Sequence, residues 1–184
     1  MDAKTKTIVA GVGATIGFII LVVGIALVYK AYKDGKFKAL SNKFSTLIYG
    51  PMVSRLEFSK DTGIIEIVKI VLLDANGAVL NNKSTYTFEF KGLWDNAGPE
   101  HIMKTDGGAY REFHSATDSP GQFLTVKFGT PIPKVASIVV YGNSAWVTRI
   151  PGTRLKVVTA TGAVLFDEVT TSQASVRTHM IPSK

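Results

Sequence analysis

The sequence predicts an all-β domain, a jelly-roll β-sandwich, preceded by one N-terminal transmembrane α-helix. Three observations lead there. Residues 8–29, IVAGVGATIGFIILVVGIALVY, carry no charged side chain over 22 positions. From Ser45 onward, short apolar runs alternate with turn residues. About eight such runs can be counted, and many short strands with turns between them indicate a sandwich or jelly roll.

The apolar run is taken first. A helix of that length rises about 33 Å, and the hydrocarbon core of a bilayer is about 30 Å thick. In lipid every backbone polar group needs a partner inside the segment, which selects a helix. A cleavable signal peptide has a shorter apolar core and a small-residue exit. Here the run exits into bulky, basic Val28-Tyr29-Lys30. A helix apolar on all sides at a chain terminus finds too little protein to cover it, which disfavours a buried soluble helix. The expected organisation is a flank at 1–7, a transmembrane helix at 8–29, a basic stem at 30–48 and a sandwich domain at 49–184. Gly13 and Gly17 form a GxxxG pair, the spacing that lets two membrane helices approach closely, so self-association through this helix is a candidate property.

Charge gives the orientation. Lys4 and Lys6 precede the run, while Lys30, Lys33, Lys36, Lys38 and Lys43 follow it. The positive-inside rule then turns the C-terminal domain to the cytosol. Lys30, Lys33, Lys36 and Lys38 are the candidate contacts to anionic headgroups. The formal net charge is +7. Residues 1–44 hold 7 basic and 2 acidic side chains, and residues 45–184 hold 14 and 12. The excess therefore belongs to the stem, and no nucleic-acid partner is expected for the domain. Cysteine is absent, which fits folding in a reducing compartment. One glycosylation sequon, Asn82-Lys83-Ser84, would be used if the domain were exported.

The strands follow in order. Met52–Phe58 alternates, and Ile64–Leu73 is rich in β-branched residues. Asp74-Ala75-Asn76-Gly77 is a hairpin turn, with a return strand beginning at Ala78. Ser84–Phe90 sets Tyr86, Phe88 and Phe90 on one face. Residues 92–122 read as a long loop. Phe123–Phe128 alternates again, Val135–Tyr141 reads as a buried strand, and Arg154–Val158 and Ala163–Phe166 flank Thr161-Gly162 as a second hairpin. A last strand falls within Val169–Ile181. The two hairpins echo each other: Gly-Ala-Val-Leu occurs at Gly77–Leu80 and again at Gly162–Leu165.

The C-terminal half carries a resemblance. Asp106-Gly107-Gly108, Phe113-His114-Ser115, Gln122-Phe123-Leu124-Thr125-Val126-Lys127-Phe128-Gly129, the strand Val135–Tyr141 and Arg149-Ile150-Pro151-Gly152-Thr153 come in the order of the discoidin, or factor 5/8 C-type, galactose-binding-like jelly roll. The resemblance covers about residues 50–181. Phe123 stands where that family usually has tryptophan, and Lys127 where it has aspartate. The family implies loops at one end that bind glycans, lipid headgroups or Ca²⁺, and would place Asp106, with Glu168 as a distant partner, near its calcium loop. Ca²⁺ wants 6–8 oxygens, so no metal or other cofactor is expected here.

Catalytic signals are weak. There is no cysteine nucleophile, nucleophile elbow or phosphate-binding loop. His101, His114 and His179 show no metal-ligand spacing and read as surface or loop histidines. Glu100, Asp106, Glu112 and Asp118 crowd the long loop and read as solvated. Trp94 and Trp146 are candidate partner or glycan contacts, each with the alternative of plugging an end of the sandwich. The anchor, the cysteine-free domain and its cytosolic side together resemble membrane-associated minor capsid proteins of large icosahedral DNA viruses. That resemblance implies a non-enzymatic structural protein at the virion inner membrane, on the capsid side, with the lipid bilayer and other capsid proteins as partners. A membrane-anchored lectin-like module is the alternative, and a membrane-bound hydrolase ranks last.

Overall fold

A computed structural model describes Ala26, Tyr29, Lys30 and residues 32–34, 51–94, 98–105, 112–116 and 120–182. The chain divides into two units, Met1–Ser45 and Thr46–Lys184. In the first, Ala26, Tyr29, Lys30, Tyr32 and Lys33 are helical and exposed. The Asp34 N–H donates to the Lys30 carbonyl at 2.9 Å, closing a helical turn. Gly13, Gly17, Lys36, Lys38 and nearly all of the run 8–29 lie outside the described residues. Among the described residues no helix is long and apolar enough to cross a membrane.

The second unit is all-β and compatible with a β-sandwich. Its strands are β1 (Val53–Lys60), β2 (Glu66–Ile67), β3 (Lys69–Leu73), β4 (Tyr86–Phe90), β5 (Phe113–His114), β6 (Gln122–Ile132), β7 (Ser137–Tyr141), β8 (Arg154–Thr159), β9 (Val164–Val169) and β10 (Val176–Met180). One sheet has the order β4-β6-β1-β8-β9, a second β10-β7-β3, and a short pair joins β2 to β5. Every pairing is antiparallel.

Side-chain alternation explains the layering. Along β6, Gln122, Leu124, Val126 and Phe128 are buried while the residues between them are not. Leu56 and Phe58 of β1 and Leu155 and Val157 of β8 join them from the same sheet. Ile67, Ile70, Leu72, Phe113, Ile138 and Val140 approach from the other strands and complete one core. The outward face of the five-stranded sheet is charged. Glu89 pairs with Lys127, Arg55 with Glu57 at 2.5 Å, Lys156 with Glu57 at 3.6 Å and Arg154 with Asp167 at 2.6 Å. Arg55 and Glu57 share β1, while the other three pairs join neighbouring strands and support the register on the wet face, as apolar contacts do on the dry one.

The run Ile64–Leu73, read as one strand, is two. β2 pairs with β5, whereas β3 pairs with β7, and the chain changes partner at Val68, whose N–H donates to the Tyr141 carbonyl at 2.8 Å. The expected return strand after Gly77 shrinks to a single bridge, Leu73 to Val79. The chain is diverted there by buried Asn81. Its amide donates to the carbonyls of Ile70 and Met103 at 2.8 and 2.9 Å, and its oxygen accepts from the Leu72 N–H at 2.8 Å. One side chain thus stands in for a missing strand neighbour of β3.

The echoed hairpins share a conformation. Gly77 N–H donates to Asp74 O at 3.1 Å, and Gly162 N–H to Thr159 O at 3.0 Å. Both glycines have positive φ, 79° and 86°. These are three-residue loops, a type I turn followed by a left-handed glycine, rather than two-residue Asn-Gly turns. In each, the first residue's side chain also accepts from the backbone. Asp74 Oδ1 takes the N–H of Asn76 and Ala78, and Thr159 Oγ1 that of Ala163.

Candidate functional site

Trp94 and Trp146, distant in sequence, belong to one row of side chains. The 3-10 segment Ser144–Arg149 carries Trp146 at a kink, with φ −127° and ψ 39°. Asn143 caps this segment by accepting the Ala145 N–H at 2.8 Å. Trp94 is fixed from the other side, where its backbone N–H donates to the His114 carbonyl at 3.0 Å.

Between the two indoles lie His114 and Arg149. The ring centroids of Trp94 and His114 are 5.8 Å apart, edge to face. Arg149 Nη1 lies 2.9 Å from His114 Nε2, and its guanidinium carbon 4.4 Å from the Trp146 ring centre. An arginine is always a donor, so His114 accepts through Nε2 and its imidazole is neutral. Burial, then the Arg149 charge, hold the His114 pKa below its ordinary value. Each indole is 50 % exposed. A guanidinium on an indole face is a cation–π contact, and tryptophan with arginine is the composition of contact hot spots.

Carboxylates stand behind the row. Glu66, its side chain 2 % exposed, accepts from Arg149 at 3.2 Å through Oε2. Its Oε1 is buried and has no hydrogen-bond partner among the described residues. Burial first, then Glu112, push the Glu66 pKa up to about 7, with Arg149 opposing. Glu112 Oε2 in turn accepts from Asn143 Nδ2 at 2.8 Å. On the far side, the Lys60 ammonium donates to the Arg149 carbonyl at 2.6 Å and clamps the end of the segment. Desolvation, then the Arg177 charge, lower the Lys60 pKa.

The motif residues take structural parts. Phe113 is a core residue, and Ser115 accepts the Ile65 N–H on its hydroxyl at 2.9 Å. Gly152 has φ 84°, and Ile150 and Thr153 are buried. Two expectations are corrected. His114 and His179 are not surface or loop residues, for both lie on strands and are 8 % exposed. Glu112 is not simply solvated, since it is half-buried and holds Asn143. Glu168 lies 3.8 Å from His179, and Asp106 lies outside the described residues. Among the described residues no cluster of three metal-ligating side chains occurs. Asn82 of the sequon is exposed. Lys30 and Lys33 sit on exposed helical positions in the first unit.

Glu66 and Arg149 were not singled out from sequence as site residues. The available signal was Glu66 itself, the one carboxylate inside the run Ile64–Leu73. Comparison with family profiles, curated proteins and solved structures returns no match for this chain.

Proposed function

We propose that this chain is a membrane-anchored structural protein whose galactose-binding-like jelly roll docks on other proteins, tying an inner viral membrane to the capsid shell above it. The apolar run 8–29 supplies the hold on lipid, and the lysines that follow it set orientation. The observation that carries the reading is the row Trp94–His114–Arg149–Trp146, two half-exposed indoles flanking a guanidinium held in place by a buried carboxyl group. Rigid aromatic and arginine anchors supply most of the energy in protein contacts. The outward charges of the five-stranded sheet are paired among themselves, which leaves this row as the better contact.

Two measurements test the reading. Protease protection in sealed membranes should leave the β domain digestible from the cytosolic side, with Asn82 unglycosylated. In purified particles the chain should occur at fixed stoichiometry, and Trp94→Ala with Trp146→Ala should reduce its incorporation while leaving the domain folded. A glycosylated, exported domain would end the proposal.

A second reading, a lectin-like module, is favoured by one feature: exposed indole faces beside a hydrogen-bond donor also suit a sugar. Glycan-array binding lost in the same double variant, with particle incorporation unchanged, would select it.

A further inference from the structure

A sheet edge leaves a row of backbone N–H and C=O groups without a strand partner, and folds close such edges with charge, bulges, short strands or covering groups. The other edges of this domain are closed in these ways. At β3 the outward groups are taken. The Ile70 N–H donates to the Ile102 carbonyl at 2.7 Å and the Leu80 N–H to the Leu72 carbonyl at 2.8 Å, while Asn81 meets the Leu72 N–H and the Ile70 carbonyl. β9 carries Asp167 and Glu168 and pairs with β8 through a bulge. β4 carries Glu89 and runs into exposed Lys91, and β2 and β5 are two residues long each.

β10 differs. It is the outer strand of the order β10-β7-β3, and Val176-Arg177-Thr178-His179-Met180 contains no lysine, proline or acid. Its register with β7 is unbroken. The Gly142 N–H donates to the Ser175 carbonyl at 2.7 Å, and the Ile181 N–H to the Ala136 carbonyl at 2.8 Å. An antiparallel ladder alternates, so Arg177 and His179 also turn their backbone groups to β7, and Val176, Thr178 and Met180 turn theirs outward. Among the described residues no other strand lies on that side. The side chains of these three residues are exposed, Val176 at 50 % and Met180 at 66 %.

We propose that β10 is the contact between two copies of this chain, pairing antiparallel with β10 of the second copy about a two-fold axis at Thr178. The match is internal to the strand, as a two-fold interface requires. Thr178 exchanges both of its outward backbone bonds with Thr178 of the second copy. Val176 then stands opposite Met180 of the second copy, and Met180 opposite its Val176, so each exposed apolar side chain gains an apolar neighbour. On the other face Arg177 stands opposite His179 of the second copy, and Glu168, 3.8 Å from that histidine, supplies the opposite charge. A slip by one residue would set Val176 against His179 and lose both matches. The contact is independent of the row Trp94–His114–Arg149–Trp146 and of any helix pairing through Gly13 and Gly17.

The chain has no cysteine, so a single one introduced reports its own neighbours. The experiment uses the full chain in detergent micelles, mild oxidation and a non-reducing gel. Opposed residues in a hydrogen-bonded antiparallel pair have Cα atoms about 5.5 Å apart, within disulfide reach. Thr178→Cys should therefore link to itself. Val176→Cys and Met180→Cys should each link poorly alone and well when mixed. Thr87→Cys, at an exposed position on β4, should stay unlinked. By sedimentation equilibrium, self-association should weaken about tenfold or more in Met180→Lys, which charges the edge, and in Thr178→Pro, which removes one outward N–H and spares the ladder to β7. Far-UV dichroism checks that the variants stay folded, and Met180→Lys, at an exposed position, serves if the proline variant does not. A monomeric wild type overturns the pairing, as do links at Thr87→Cys as strong as at Thr178→Cys. So does a dimer that survives Met180→Lys but is lost in Gly13→Leu with Gly17→Leu, which assigns association to the N-terminal run.

Discussion

The guanidinium carbon of Arg149 lies 4.4 Å from the centre of the Trp146 ring, and its Nη1 reaches Glu66 at 3.2 Å. One side chain thus joins an exposed aromatic to a buried acid. Removing it leaves Glu66 buried without the cation it pairs with. Breaking a buried pair costs about 3–5 kcal/mol, and the 29 % exposure of Arg149 places this one lower, at about 2–3 kcal/mol. Arg149→Ala should therefore lower the urea midpoint, and by more at pH 8 than at pH 5, where Glu66 is already neutral. Arg149→Lys should recover part of the loss. It keeps the charge but cannot stack on Trp146 while reaching Glu66 and His114.

Glu66 also sets a pH dependence of stability with a definite sign. Its pKa is raised in the fold, from 4.5 to about 7, so the folded state binds more protons than the unfolded state between those values. Stability from this group is full below about pH 4.5 and declines as pH rises to about 7. Burial holds His114 and His179 below their ordinary pKa, which produces the opposite slope, a loss of stability as pH falls below 6.5. The two trends offset each other in mildly acid solution. Glu66→Gln isolates the first. Its stability relative to wild type should climb from pH 4.5 to 7 and then level, by on the order of 1–3 kcal/mol, in paired urea titrations.

The twin hairpins allow backbone strain to be separated from crowding. A Cβ at Gly77 or Gly162 would meet nothing within 4 Å, so an alanine there suffers only from the positive φ, about 1–2 kcal/mol each. Gly92, with φ 71°, differs because its Cβ would stand 2.6 Å from the Ala116 Cβ. Gly77→Ala and Gly162→Ala should cost alike and combine additively, since they lie in separate loops. Gly92→Ala should cost more than either and should disturb the neighbouring Trp94 emission. Thermal melts of the four proteins check this.

What was legible in the sequence was alternation. The pattern of Phe123–Phe128 specified a half-buried strand, because period two is a local property of the chain. The partner change at Val68 was not legible, since an unbroken β-branched run looks the same whichever strand lies beside it. β5 is two residues long, too short for any period to show within the loop-like stretch 92–122. Trp94 and Trp146 were identifiable singly as large aromatics in polar surroundings. Their union through His114 and Arg149 depends on β2 pairing with β5, a contact between distant segments that composition cannot reveal.

Asn81 is the sharpest case of a residue whose importance only the fold discloses. It precedes the sequon asparagine and looks equally polar, yet it is 3 % exposed and makes three hydrogen bonds to backbone. Two are donated to carbonyl oxygens, those of Ile70 and Met103. Asn81→Asp keeps the shape but replaces the donor nitrogen with an oxygen, setting a carboxyl group against two carbonyls in the interior. The charged form has no cation among its hydrogen-bond partners, so its pKa must rise and stability must fall as pH increases. Asn81→Ala leaves the Leu72 N–H and both carbonyls unpaired, at about 1–3 kcal/mol for each group that water cannot reach. The expected order of stability at pH 7 is wild type, then Asn81→Ala, then Asn81→Asp, with the last two converging as pH falls to about 4. Asn82→Asp, at the exposed neighbour, should match wild type throughout. Hydrogen exchange at the Leu72 amide reads the same contact directly, and should accelerate in both Asn81 variants while remaining slow in Asn82→Asp.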